Sequence, residues 1–137
     1  MRVTQMSDGT VLIIDDNPSI RGMLADALHA CGYTVVEAAD GQEALDIAQL
    51  SRPALILLDL NLPVISGFSF VDAVQERGVD APILLVTADP RAPQVAQNAQ
   101  VVGYLAKPFE MDSLLDAVES ALRGERLPVP APDNERF

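Results

Sequence analysis

Five strand-like segments recur along this chain, and between them the apolar residues switch to helical spacing. Val11–Ile14, Ala54–Leu58 and Ile83–Val86 are apolar at every position, which marks strands buried on both faces, as in a parallel sheet covered by helices. Thr34–Ala38 and Gly103–Leu105 read as the two remaining strands. The first helix starts at Asn17-Pro18, an N-cap followed by proline at the first helical position. It continues through Ile20, Met23, Leu24, Ala27, Leu28 and Cys31, and Gly32 stops it. Asp40 and Glu43 have the spacing of a capping box ahead of Ala44, Leu45, Ile47, Ala48 and Leu50. Ser66 caps a third helix carrying Phe68, Phe70, Val71 and Val74 and ending near Gly78. A less regular stretch with Pro90 and Pro93 precedes a short helix around Gln94–Asn98. A last helix spans about Glu110 to Arg123, with Met111, Leu114, Leu115, Val118 and Leu122 on one face. Right-handed crossovers turn this alternation into a doubly wound α/β fold.

A length of 137 residues suits one such domain. We place it at residues 10–124, with an N-terminal extension over 1–9 and a solvated, flexible C-terminal tail over 125–137. Cys31 is the single cysteine, so no internal disulfide forms, and its place on the first apolar stripe reads as core. His29, the single histidine, falls half a turn away from that stripe and reads as solvated. Arg52, Arg77 and Arg91 read as surface. The start has no apolar signal region and no run is long enough for a bilayer, so a soluble, cytoplasmic protein is expected. A net charge of −11 argues against direct binding of nucleic acid, and the short apolar runs lead us to expect no membrane partner.

The acids are not spread evenly. Ligands of an open parallel sheet bind at the carboxyl ends of its strands. Strand one ends in Asp15-Asp16, strand three in Asp59, strand four in Thr87, and strand five runs into Lys107-Pro108. Three carboxylates, a hydroxyl and an ammonium therefore converge on one edge. A bound cation relieves the repulsion among the carboxylates, and an all-oxygen set suits Mg²⁺ rather than zinc. A carboxylate can attack a phosphoryl group, with Thr87 and Lys107 placed to bond its oxygens.

The pair Asp15-Asp16, the stretch Asp59-Leu60-Asn61-Leu62-Pro63 with Gly67, Thr87-Ala88, and Tyr104-Leu105-Ala106-Lys107-Pro108-Phe109 resemble the receiver domain of bacterial two-component response regulators. The resemblance covers about Val11 to Arg123. It implies a flavodoxin-like sheet of order 2-1-3-4-5 and phosphorylation of Asp59. It also implies Mg²⁺ (or Mn²⁺) held by Asp15, Asp16, Asp59 and the backbone carbonyl of Asn61. Thr87 and Lys107 would contact the phosphoryl group, and Tyr104 would be the switch aromatic. Asn61 and Asp89 match positions that tune phosphoryl lifetime. The implied partners are a sensor histidine kinase or histidine phosphotransfer protein and a downstream protein target, with a homodimer formed through the fourth helix, fifth strand and fifth helix.

Taken singly, each of these residues has a bland alternative: Asp16 as a helix cap, Thr87 as a strand residue, Lys107 as a turn lysine, Tyr104 as half-buried packing. Asp59, after an apolar run, has the weakest such alternative. Two other functions compete. A phosphatase of the haloacid-dehalogenase type needs an acid two residues after its nucleophile, where this chain has Asn61. A pseudo-receiver would have lost an acid, the threonine or the lysine. The stretch from Thr87 to Lys107 departs from the family pattern: its prolines predict a short, shifted or mobile fourth helix.

Overall fold

The computed structural model describes residues 9–128. Elements alternate as the sequence requires: β1 Thr10–Ile14, α1 Pro18–Ala30, β2 Thr34–Ala38, α2 Gly41–Ser51, β3 Leu55–Leu58, α3 Gly67–Glu76, β4 Ile83–Thr87, α4 Ala92–Val95, β5 Val101–Ala106 and α5 Met111–Leu122. All neighbouring strands pair in parallel, in the order β2-β1-β3-β4-β5. The winding reverses between β1 and β3, so a crevice opens at the carboxyl ends of those two strands.

The central strands are apolar throughout because each faces two cores. Leu12, Ile14, Ile56, Leu58, Ile83 and Leu85 meet α2 and α3 through Ala44, Leu45, Phe70, Val71 and Val74. Val11, Ile13, Leu55, Leu57, Leu84 and Val86 meet α1 and α5 through Leu24, Leu28, Leu114 and Val118. This is the two-residue alternation of strand side chains, satisfied on both sides.

Helix starts follow their local chemistry. Asn17 Oδ1 accepts from the backbone N–H of Ser19 at 2.9 Å and of Ile20 at 3.2 Å, with Pro18 next in line. Asp40 accepts from the Glu43 N–H at 2.8 Å, and Glu43 accepts in return from the N–H of Ala39, one residue before the cap. Ser66 Oγ accepts from Ser69 N at 3.2 Å. The start of α3 is pressed onto the strand below it. A Cβ on Gly67 would lie 2.5 Å from Leu60 Cα and 2.8 Å from the Asp59 carbonyl oxygen, both backbone atoms that cannot yield.

Several expectations change. Cys31 is exposed, because α1 ends at Ala30 and Leu28 is its last buried residue. Met23 and Leu50 are also exposed: the buried faces run through Leu24, Ala25 and Leu28 in α1 and through Ala44, Leu45 and Ala48 in α2. The fourth helix is one turn long and begins at Ala92, before the expected Gln94. Pro93 then sits in its first turn, where the missing N–H costs nothing. Strand five extends from Val101 to Ala106, beyond the expected Gly103–Leu105 at both ends, because it pairs along the whole of β4. Within the tail, Glu125, Arg126 and Pro128 are exposed, whereas Leu127 is half-buried and its N–H donates to the Val102 carbonyl at 2.8 Å. Residues 1–8 and 129–137 of the extension and tail lie outside the described part. Among the described residues, no helix is long and apolar enough to cross a membrane.

Candidate phosphoryl-acceptor site

At the crevice, the chain abandons its own rule of burying only apolar groups. Among the described residues the buried polar side chains are Asp15, Asp59, Thr87 and Asp89, all at or just beyond the carboxyl ends of β1, β3 and β4. Burial of a carboxylate is costly unless it is bonded, and each of these is.

Asp59 is held from three directions. Its Oδ1 accepts the Thr87 hydroxyl at 2.7 Å and the Asn61 N–H at 3.1 Å. Its Oδ2 accepts from Lys107 Nζ at 2.9 Å. The same ammonium reaches Asp15 Oδ2 at 2.7 Å, so one lysine ties the ends of β1, β3 and β5 together. Asp15 Oδ1 accepts from Asn17 N at 2.9 Å, which links the site to the α1 cap. Burial disfavours the Lys107 charge, but the hydrogen bonds it donates to Asp15 and Asp59 outweigh it and raise its pKa above the ordinary lysine value. The peptide bond between Lys107 and Pro108 is cis.

Asp16 stands exposed beside the buried pair. Oxygens of Asp15, Asp16 and Asp59 all lie within 4.8 Å of one another. Opposite oxygens of a Mg²⁺ octahedron are about 4 Å apart, given bonds of ~2.1 Å, so a small movement of the free Asp16 side chain would close the set. Three carboxylates face a single ammonium, which leaves negative charge for a divalent cation to balance. Among the described residues no histidine or cysteine joins them, and the all-oxygen donor set fits a hard cation.

The structure thus brings together Asp15, Asp16, Asp59, Thr87 and Lys107. Asn61 lies exposed at the rim, with its backbone N–H on Asp59. Tyr104 lies apart from them, half-buried and packed against the α2–α3 core. Two features were not legible in the sequence. Arg21 donates to the Asp15 carbonyl oxygen at 2.7 Å and to Glu37 at 3.1 Å, clamping β1 to β2 beside the site. Arg91, expected as plain surface, forks onto Asp89 at 3.0 and 2.8 Å and stacks over the Phe68 ring at 4.3 Å. The Arg91 hydrogen bonds hold the Asp89 carboxyl below the ordinary carboxylate range. Phe68, Arg91, Asp16 and Asn61 line one open cleft at the mouth of the acid pocket. Nothing in the spacing of Phe68 and Arg91 announces their contact, since it crosses from α3 to the loop before α4.

Comparison with known proteins agrees with this geometry. The family model of the response regulator receiver domain matches residues 11–119. The transcriptional regulatory protein PdtaR of Mycobacterium tuberculosis is 37% identical over 115 residues, which is 82% of this chain and 56% of that protein. The response regulator MprA of Mycolicibacterium vanbaalenii is 36% identical over 115 residues, 82% of this chain and 50% of its own length. The chain therefore spans about half the length of these curated relatives. Among solved structures, the chemotaxis response regulator CheY4 of Vibrio cholerae superposes with a TM-score of 0.75 at 40% identity, covering 82% of this chain and 97% of that one. TrrA of Thermotoga maritima, solved in complex with Mg²⁺ and BeF, gives a TM-score of 0.74 at 30% identity, again with 82% and 97% covered. A parallel five-stranded sheet of order β2-β1-β3-β4-β5, with an acid cluster at its switch point, is the architecture these proteins share. This chain belongs to the family of response regulator receiver domains of two-component systems.

Proposed function

We propose that this domain receives a phosphoryl group on Asp59 and signals through contacts with other proteins. One observation carries the reading: a buried carboxylate is bonded at once by Thr87 and Lys107, beside two further carboxylates. An inert core would not assemble so many polar groups at one point.

In the step we infer, a carboxylate oxygen of Asp59 attacks the phosphorus of a donor. The new O–P bond forms as the bond from phosphorus to the donor breaks, and the donor leaves with that electron pair. Lys107 can then move an N–H from the carboxylate to an incoming phosphoryl oxygen, and the Thr87 hydroxyl can do the same. Asp15, Asp16, Asp59 and the Asn61 carbonyl would hold Mg²⁺, which when bound neutralises charge on the transferring phosphoryl group. Phosphorylation replaces a balanced carboxylate by a group with more charge and more acceptors, so the bonds of Thr87 and Lys107 must redistribute. Both residues terminate strands, and the change passes to β4 and β5, where Tyr104 is the candidate reporter. The matching donor is a histidine kinase or phosphotransfer protein, and the output is a protein target.

A hydrolytic enzyme is the weaker reading. The position two residues after Asp59 is Asn61, an amide that cannot act as a general acid.

The test is intact-mass analysis after incubation with acetyl phosphate, with and without Mg²⁺. We expect a single metal-dependent phosphoryl addition on the wild type and none on Asp59→Asn. Equal labelling of the variant would refute the assignment, and absence of labelling on a folded wild type would favour a partner-binding domain that works without phosphorylation.

A further inference from the structure

The peptide between Asp15 and Asp16 carries two of the three acids gathered at the sheet edge, so its plane decides where both carboxylates point. The Asp15 N–H still pairs with β2, donating to the Ala38 carbonyl at 3.2 Å. The ladders of β1 with both neighbours end at Ile14, however. Beyond them the Asp15 carbonyl is taken by a side chain: Arg21 Nη1 donates to it at 2.7 Å.

Arg21 reaches this point because of where it stands. It lies in the first turn of α1, and helical side chains lean toward the N-terminus, here toward the end of β1. Its Nε donates to Glu37 Oε1 at 3.1 Å. Glu37 stands opposite Ile13 in β2, two residues after Val35, which packs in the core beneath α1. Strand alternation therefore puts Glu37 on the same face as Arg21. The Arg21 side chain is only 19% exposed, against 42% for Glu37. A solvated ion pair contributes little and has no need of a backbone carbonyl. A rigid, planar set of donors suits this place, with one nitrogen on each partner.

Charge and geometry oppose each other here. A cation beside an acid cluster weakens the negative potential that draws a divalent ion. Glu37 cancels that charge at contact, so the guanidinium keeps its hold on the Asp15 carbonyl at little electrostatic cost. The Asp15 carboxylate is tied down a second time, by Asn17 N and Lys107. Asp16 is exposed, and its direction depends more on the peptide it hangs from.

We propose that Arg21 is a positioning residue for the metal. By holding the Asp15 carbonyl, with Glu37 as its counter-charge, it sets the peptide from which Asp15 and Asp16 reach the cation. The inference rests on the reading of Asp15, Asp16 and Asp59 as Mg²⁺ ligands.

The test titrates the full, unphosphorylated chain with Mg²⁺ alone, followed by the amide chemical shifts of residues 15, 16, 59 and 61. A urea midpoint is taken in parallel without metal. Arg21→Ala removes a positive charge, so a purely electrostatic role predicts tighter binding. Positioning predicts the opposite, a Kd raised about tenfold or more. Arg21→Lys keeps the charge and most of the stem but not the fork, and it should also bind clearly more weakly than the wild type. Tighter binding by Arg21→Ala, or full affinity in Arg21→Lys, would overturn the proposal. A lower urea midpoint with an unchanged Kd would reduce Arg21 to a stabilising contact and overturn it as well. Should the alanine variant not fold, the lysine variant decides alone. A wild type that shows no Mg²⁺-dependent shifts at these residues would instead remove the metal site, and the role of Arg21 with it.

Discussion

Asp59 follows four buried apolar residues of β3 and is itself buried, a position an isolated carboxylate tolerates poorly. That tension made it legible: an acid ending an apolar strand needs partners, and the other strand ends supply them. Thr87 and Lys107 were legible for the same reason, through their place at the ends of β4 and β5 rather than any local motif. Arg91 on Phe68 and Arg21 on the Asp15 carbonyl were not, because each contact joins residues whose spacing carries no period. Thr87 tests how far the site is a switch. Its hydroxyl bonds Asp59 at 2.7 Å, and removal leaves Lys107 and the three carboxylates in place. Thr87→Ala should therefore still accept a phosphoryl group but respond less. Amide chemical-shift changes along β5 on phosphorylation should shrink in the variant. Changes as large as in the wild type would contradict a role for Thr87 in the response.

At the scale of elements, capping chemistry fixed the starts of α1, α2 and α3, whereas α4 and α5 begin without a side-chain cap. Asn17, Asp40 and Ser66 all cap as their residue types require. Asn17 also donates its N–H to Asp15, so the cap of α1 and the acid pocket share a residue. Asn17→Ala removes an acceptor for two backbone N–H groups and should cost about 1 kcal/mol, read as a lower urea midpoint at unchanged slope. An unchanged midpoint would mean water replaces the cap without loss. Gly67→Ala should cost more, about 1–3 kcal/mol for an overpacked contact, since its Cβ would press on the backbone of Leu60 and Asp59. It should also slow phosphorylation, which a merely distant lesion would not do. Among the described residues of the tail, the contact made by Leu127 was not legible in sequence. Three prolines suggested a solvated segment, whereas the contact of Leu127 with β5 depends on Gly103, twenty-four positions earlier.

For the whole molecule, the pattern of apolar runs carried the alternation of strands and helices and the doubly wound class, because strands buried on two faces need helices on both sides; the order 2-1-3-4-5 came from the resemblance to receiver domains. Charge is the second global property. Lys107 is raised above its ordinary value of 10.5 by Asp15 and Asp59 despite burial, and Tyr33 is raised above 10.0 by burial and then by the Glu119 charge. A group whose pKa is raised by folding stabilises fully below its unfolded value and loses that contribution as pH climbs through the folded one. The metal-free protein should thus lose melting temperature above about pH 10, and Tyr33→Phe should lose less than the wild type. Parallel declines in the two proteins would remove Tyr33 from the account.

The curated relatives match over 56% and 50% of their own length and so extend beyond the domain described here, which leaves the chemistry of the acid pocket as the property to measure first. The most direct measurement is to treat the phosphorylated protein with borohydride, which reduces an aspartyl phosphate to homoserine, and to map the peptides by mass spectrometry. Homoserine is expected at position 59 alone. Homoserine at 15 or 16, or a phosphoryl group that survives reduction elsewhere in the chain, would contradict it.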